Sequence, residues 1–459
     1  MLHGQIPYLD MFDHKGLTLY IIYLLGIVVG CGDPSGVWLL TIISALIGLY
    51  FNYKIGYLLT SSEEASFFST LLMLFLLGNF VNMAGLKEMF ALPFIFVSLY
   101  LFLQHIKKRS SKTYRYMVIV GICGGCVLLI TPTLAILWLV IGIWVLVDMI
   151  RNRSGEAPIK TLMCIFIGVT ISVVPQLIWL YANGAFDAFV ECYLLYNLGY
   201  SAEGLTSIQW LYQNMRLLEM IITNSGVVFA ELVLLLTYLR NKSTNNQIRD
   251  ICVFAILCYV ITVLLTCLTG HGYDHYMAVT LPSLSIPFAF GIHYLHQTVS
   301  KTTQKNWQQF SILLMCVGLI GISGIGIGAL YGVANNFPLG DSISSTESTT
   351  LSDEKIMINI INGYCDDGDF IQVFSNRDYL YLETNTFAAS RFNYLPGGFE
   401  MYENEIHASL IEHVPKIIVE DKTREIGVKT PEIMNYIQEN YTNIMETEKY
   451  NLYLKEVNI

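Results

Sequence analysis

Apolar residues fill most of the first 333 positions in blocks of membrane-crossing length, separated by short polar or glycine-containing breaks. A membrane-spanning helix needs about 17–25 mostly apolar residues. The blocks predict ten spans, at 36–59, 66–84, 89–106, 116–131, 133–149, 159–182, 222–240, 251–268, 276–297 and 308–333. The run from Tyr116 to Val147 is too long for one ordinary span. Thr131-Pro132-Thr133 in its middle predicts a tight turn between two short helices, because proline cannot continue a helical hydrogen-bond ladder. The apolar stretch Leu17–Val29 lies between Gly16 and Gly30 and is short for a span, which predicts an interfacial helix instead.

The pattern changes in the last quarter of the chain. Residues 336–352, rich in Ser and Thr, read as a linker. Beyond it, 370–374, 416–420 and 450–454 read as short strands, and 402–413 and 431–440 read as helices, the second with Pro431 near its start. The predicted fold is an all-α polytopic membrane protein of about ten transmembrane helices plus an interfacial helix, followed by a small C-terminal α/β soluble domain. Its segments are 1–35, an exterior loop with the interfacial helix; 36–333, the transmembrane helical domain; and 334–459, the soluble domain.

Composition agrees with this pattern. Apolar side chains make up 54% of the 459 residues and charged ones only 14%, against a usual ~25% charged, which excludes a soluble enzyme and a disordered chain. The formal net charge of −10 is unevenly placed. Residues 334–459 hold 9 Lys/Arg and 21 Asp/Glu, whereas residues 1–333 hold 17 and 15. An acidic tail of this kind argues against a nucleic-acid partner. The cysteines are scattered; Cys123 and Cys126 form a C-x-x-C inside an apolar run with no second pair, and read as packing residues. Gly363 and Gly368 lack dinucleotide-motif spacing.

Charge also orients the chain. With ten spans, one side collects 13 basic residues, among them Lys107, Lys108, Arg109, Lys112, Arg115 and Arg249, while the opposite loops of 1–333 hold only Lys15, Lys87 and Arg216. The positive-inside rule makes the first side cytoplasmic. The 1–35 segment, the 85–88 turn, the 183–221 loop, the 269–275 turn and the tail are then exterior.

Four exterior clusters could carry chemistry. Asp10, Asp13, His14 and Lys15 lie together just before the interfacial helix, either as a solvated loop whose lysine meets lipid phosphates or as a site. His271, Asp274, His275 and Tyr276 crowd a short turn, where imidazole and carboxylate suit a divalent cation or a phosphate, with interfacial anchoring as the alternative. Lys87-Glu88 either caps a helix or completes a site. Tyr193, Tyr196 and Tyr200, with Asn197, share one helical face that suits an aromatic belt at the headgroups or stacking against a sugar.

These residues, in this order, resemble the polytopic GT-C glycosyltransferases, the protein O-mannosyltransferase-like and aminoarabinose-transferase-like enzymes, including the RgtA/B/C/D-like group. The resemblance rests on Gly4-Gln-Ile-Pro-Tyr-Leu-Asp10 followed by Phe12-Asp-His-Lys-Gly16, on Lys87-Glu88 with Pro93, on His275-Tyr276 with Pro282, and on the soluble C-terminal α/β tail. It implies an integral protein of a bacterial plasma membrane, its tail exterior. The implied reaction transfers a sugar, with inversion, from a polyprenyl-phosphate donor to a glycan, lipid or protein acceptor on the outer face.

In the terms of that resemblance, a carboxylate takes the acceptor proton and cations hold the departing lipid phosphate. Lys15 matches the phosphate-contacting lysine, with His275 and Tyr276 beside the donor. Glu88 matches a second acidic position. His14 and His275 fall near positions that hold a metal in some members. The predicted sites are therefore Asp13, Asp10 and Glu88 for catalysis; Lys15, His275 and Tyr276 for donor phosphate; Tyr193, Tyr196, Asn197 and Tyr200 for the sugar or acceptor; and His14, His271 and Asp274 for a divalent metal ion, the one cofactor suggested. The pattern departs from the family at Leu17, where proline is usual, and at Thr131, where lysine is usual. The family's first helix and following aspartate would precede Gly4, which leaves an upstream extension, or Asp10 and Asp13 as the loop's carboxylates. A transporter or flippase of lipid-linked sugars, and an inactive scaffold of the same fold, are the other functional classes.

Overall fold

The computed structural model describes residues 4–80, 85–108, 113–152, 156–200, 246–267, 274–301, 348–375, 377–393, 399–422 and 430–456. Two compact units form, each from segments distant in sequence. One gathers Met1–His14, Leu180–Glu203 and Leu339–Ile459, and the other Lys15–Trp179 and Gly204–Pro338.

The second unit is helical. Helix α1 occupies Leu17–Val29, as the bounding glycines predict. It is followed by α2 (Ser35–Thr60), α3 (Glu63–Phe80), α4 (Lys87–Lys108), α5 (Tyr114–Leu128), α6 (Ile136–Asn152) and α7 (Glu156–Ala182). Asn246–Cys267 and Ser285–Lys301 are further helices, the latter preceded by 3₁₀ structure at Asp274–Leu284. The predicted break between α5 and α6 is present, with Pro132 opening a single 3₁₀ turn. Four described helices are long and apolar enough to cross a membrane: Ser35–Thr60, Lys87–Lys107, Glu156–Ala182 and Gln247–Leu265. The expected spans at 222–240 and 308–333 lie outside the described residues.

Long apolar helices pack in hydrocarbon through close backbone approach and occasional polar bonds, because lipid offers no hydrophobic drive to associate. Both devices occur. A Cβ on Gly121 of α5 would lie 2.0 Å from the Ile165 carbonyl oxygen of α7, so only glycine fits that crossing. Buried Asn52 of α2 donates to Thr70 Oγ1 of α3 at 3.1 Å. The outer faces stay apolar, with Phe166 and Ile178 of α7 exposed, as a lipid-facing helix requires.

In the other unit, the C-terminal residues form a five-stranded sheet of order β2-β1-β3-β5-β4. Its strands are β1 (Phe370–Phe374), β2 (Phe387–Ala388), β3 (Ile417–Asp421), β4 (Tyr441–Glu446) and β5 (Tyr450–Lys455). The first three run parallel, and β5 is antiparallel to β3 and β4. Ile371, Val373, Ile417, Val419 and Leu452 meet Met357 and Ile361 of the helix Ser348–Tyr364 in its core.

One local expectation is corrected. The Ser/Thr-rich stretch is not linker throughout, since Ser348–Tyr364 is helical and its Met357 and Ile361 are fully buried. Residues 186–200, where the spacing of Tyr193, Tyr196 and Tyr200 predicts a helical face, are α-helical at Phe186–Phe189, π-helical at Val190–Leu195 and α-helical again at Tyr196–Tyr200. That stretch buries Phe189, Cys192 and Tyr193 on one side, packing that stabilises the helix, and exposes the apolar Leu194, Leu195 and Leu198 on the other.

Candidate functional site

The predicted residues fall into both units, and each group is built differently. In the first unit, residues 4–14 form a tight loop. Tyr8 N–H donates to the Met11 carbonyl at 2.9 Å, and Pro7 bridges to Met11. Tyr8 and Phe12 are fully buried. Tyr8 packs edge-on against Phe189, and Phe12 lies among Phe392, Tyr402 and Tyr196 with ring centroids 5.1–5.4 Å apart. Burial, and then the nearby charge of Asp13, push the Tyr8 phenol well above its ordinary range, so it stays neutral.

The two loop carboxylates differ in their work. Asp10 is exposed, and its Oδ2 accepts from the Ile6 N–H at 2.6 Å, so it closes its own turn. Asp13 is only 18% exposed and lies 3.6 Å from His14 Nδ1. The backbone on either side of Asp13 is fixed. Phe12 N–H donates to the Arg391 carbonyl at 2.5 Å, and Asn197 Nδ2 donates to the carbonyls of both His14 and Tyr193 at 2.7 Å. Tyr196 lies against the His14 ring at 5.6 Å. Tyr193 is buried and stacked on Phe189 at 5.0 Å, so the Tyr193–Asn197 face meets the loop rather than solvent. The side chain of Tyr200 lies outside the described residues.

Arg391, which nothing in the sequence singled out, sits where these segments meet. It follows β2 and carries only 11% side-chain exposure. Nε and Nη2 donate to the two oxygens of Glu405 at 2.6 and 2.9 Å, and Nη2 also donates to Glu191 at 2.9 Å. Nη1 donates to the Tyr8 carbonyl at 3.3 Å and faces Cys192 Sγ at 3.4 Å. Burial raises the Cys192 thiol to about 12, so it is not a thiolate.

The second unit holds the other group. Gly16 N–H donates to the Ile130 carbonyl and Thr18 N–H to that of Leu129, both at 3.0 Å. A Cβ on Gly16 would stand 2.1 Å from the Leu129 oxygen, which explains a glycine directly after Lys15. Tyr23 of α1 donates to the Gly85 carbonyl at 2.7 Å, and Gly85 N–H donates to Thr41 of α2 at 3.1 Å. This fixes the turn before Lys87 and Glu88 at the start of α4, an end where the helix dipole favours an acid. Glu88 is 1% exposed, with Lys87 Nζ 3.9 Å from Oε1. Neither Glu88 oxygen has a hydrogen bond among the described residues. Lys15 is a second cation acting on it. Lys87 Nζ also lies over the Tyr276 ring at 5.3 Å, and His275 meets that ring edge-on at 4.9 Å. Lys15, Lys87-Glu88 and His275-Tyr276, three separate sequence motifs, therefore converge.

His14 is paired with Asp13, while His271 and the side chain of Asp274 lie outside the described residues. Among the described residues, no three His, Cys, Asp or Glu side chains gather around a common point.

Apolar spans, an interfacial helix and a C-terminal α/β domain define an integral membrane protein of GT-C-like fold. The fold is similar to the crystal structure of ArnT from Cupriavidus metallidurans bound to undecaprenyl phosphate, with a TM-score of 0.60 over 97% of this chain and 89% of that one, at 11% identity. The chain belongs to the family described as "Putative competence-induced protein Ccs4 N-terminal domain", which it matches over residues 1–317. No curated protein matches it.

Proposed function

We propose that this protein is an integral-membrane glycosyltransferase that passes a sugar from a polyprenyl-phosphate donor to an acceptor on the outer face. The observation that carries this reading is the meeting of Lys15, Lys87 and Tyr276 around Glu88, a buried carboxylate with spare acceptor capacity. Two lysines supply cationic groups for a lipid phosphate, and a carboxylate among them can accept sugar hydroxyls. The ArnT structure, which holds undecaprenyl phosphate, supports the donor class.

In this mechanism the acceptor oxygen attacks the anomeric carbon from the face opposite the phosphate. The C–O bond to the phosphate breaks, and polyprenyl phosphate leaves with the electron pair. The acceptor proton goes to Asp13, which adjoins His14 and Lys15 in the chain and lies 3.6 Å from His14 Nδ1, whereas the Asp10 carboxylate accepts from the Ile6 N–H and closes its own turn. Lys15 and His275 hold the phosphate, and Tyr276 orients Lys87. The exterior location follows from the distribution of basic residues; protease added to intact cells is expected to release the acidic tail.

Binding of undecaprenyl phosphate to the protein in nanodiscs tests the donor assignment. A charge-assisted bond is typically worth ~1.5–3 kcal/mol, so Lys15→Met should weaken binding roughly 10- to 100-fold. Equal binding by the variant would remove Lys15 from the site, and no saturable binding by the wild type would remove the donor class.

A further inference from the structure

We propose that Arg391 is a positioning residue, through which the C-terminal domain holds the loop that carries Asp13. The inference rests on the reading of Asp13 as base, and adds that the soluble domain is part of the catalytic apparatus.

Three segments meet at this one side chain. Glu405 belongs to the C-terminal domain, Glu191 and Cys192 to the π-helical turn, and the Tyr8 carbonyl to the loop. A guanidinium has five N–H donors in a rigid planar fork. Arg391 makes five contacts, two to Glu405 and one each to Glu191, Tyr8 and Cys192, so its donor capacity is filled. Its flat faces are used as well, with Phe392 at 5.1 Å and Phe12 and Tyr402 at 5.9 Å from the guanidinium carbon.

The same residue acts through its backbone. The Arg391 carbonyl accepts the Phe12 N–H, immediately before Asp13. Beyond Asp13, Asn197 holds the His14 carbonyl from the helical stretch whose Glu191 is bound by the guanidinium. Asp13 therefore lies between two backbone clamps that lead back to Arg391. The buried side chains of Pro7, Tyr8 and Phe12 and the turn's own bonds order the centre of the loop, and these clamps hold its Asp13 end.

Lysine cannot replace this arginine, since an ammonium offers three donors, no plane and no fork. Misplacing a reacting group by about 1 Å costs on the order of 100-fold in rate. The effect should fall on kcat, because Asp13 acts in the chemical step while Lys15 and the Glu88 cluster take the donor.

The test is hydrogen–deuterium exchange on the full-length protein in nanodiscs, together with transfer kinetics, for wild type, Arg391→Lys, Arg391→Ala and the milder Glu191→Gln. In both Arg391 variants the amides of Tyr8, Asp10 and Phe12 should exchange roughly 10- to 100-fold faster, as expected when a segment opens locally. Amides of β1 and β3 should keep wild-type protection. The kcat should fall about 100-fold with KM for the donor unchanged. Glu191→Gln should shift exchange and kcat in the same direction by less. Unchanged loop exchange would overturn the proposal. So would loss of protection throughout β1 and β3, which marks general unfolding, or a loosened loop with unchanged kcat. A wild type inert towards polyprenyl-phosphate sugars would overturn the glycosyltransferase reading instead; loop exchange would then decide the clamp alone.

Discussion

Arg391 and Glu88 are both buried ionisable groups, and the two units surround them in opposite ways. Arg391 fills its five donors and has aromatic rings about it, whereas Glu88 has two buried oxygens without a hydrogen bond among the described residues. Burying a charge is costly unless it is paired and hydrogen-bonded. A charge whose bonds are filled from within the protein, as at Arg391, specifies an arrangement of chain. One with unused acceptor capacity, as at Glu88, keeps that capacity for chemistry or binding. The loop unit is thus built for position, and the helical cluster for contact with a polar ligand.

The largest expected effect separates the two acids. If Asp13 takes the acceptor proton, Asp13→Asn should lower kcat by about 10²–10⁴-fold, the usual share of a general base. Glu88→Gln should cost less, roughly 10- to 100-fold, the worth of one charge-assisted bond. The opposite order in initial-rate measurements would move the base into the helical unit.

Stability should rank the two charges the other way. Arg391→Ala leaves Glu191 and Glu405 without their partner, but these are 41% and 43% exposed and can turn to water. The loss should be about 2–3 kcal/mol, below the 3–5 kcal/mol of a wholly buried pair. Thermal unfolding of the purified protein measures it. Glu88→Gln should change stability by no more than about 1 kcal/mol, because the 3.9 Å approach of Lys87 is a loose pair. A clear drop in midpoint for Glu88→Gln, with transfer intact, would make Glu88 a helix cap and erase the contrast.

The smallest effect lies on the sheet. A hydrogen bond from Lys416, aided by the Asp366 N–H, holds Asp369 below the ordinary carboxylate range. Its stabilising contribution is therefore complete above the unfolded value of ~3.9. It is lost as pH falls through the lower folded value. Asp369→Asn should lower the unfolding midpoint slightly at neutral pH and leave it unchanged once the pH is below the lowered folded value. An equal drop at both pH values would mean that the bond acts through geometry rather than charge.

Much of this architecture was legible because it is local. The glycines around Leu17–Val29 and the proline at 132 mark their boundaries directly, β1 is a short, mostly apolar run and β5 begins with plain alternation. Other elements carry weak signals of their own. Strand β4 starts directly after the helix Pro431–Asn440, exposes most of its residues and contains a bulge between Asn443 and Met445, so its alternation is blurred. The helix Ser348–Tyr364 begins in a Ser/Thr-rich stretch that reads as linker. In the candidate site, Lys15, Glu88 and Tyr276 were visible because each stands among few exterior polar residues. Arg391 was not, since its partners Tyr8, Glu191 and Glu405 come together only in the folded chain.

The central claim is transfer from a lipid-linked sugar, with Asp13 as base. Its most direct test is mass spectrometry of proteoliposomes supplied with polyprenyl-phosphate sugars and an envelope acceptor extract. The account predicts free polyprenyl phosphate in equal amount to glycosylated acceptor with the wild type, and almost none with Asp13→Asn at equal protein. Absence of release with the wild type, or equal release with Asp13→Asn, would contradict it.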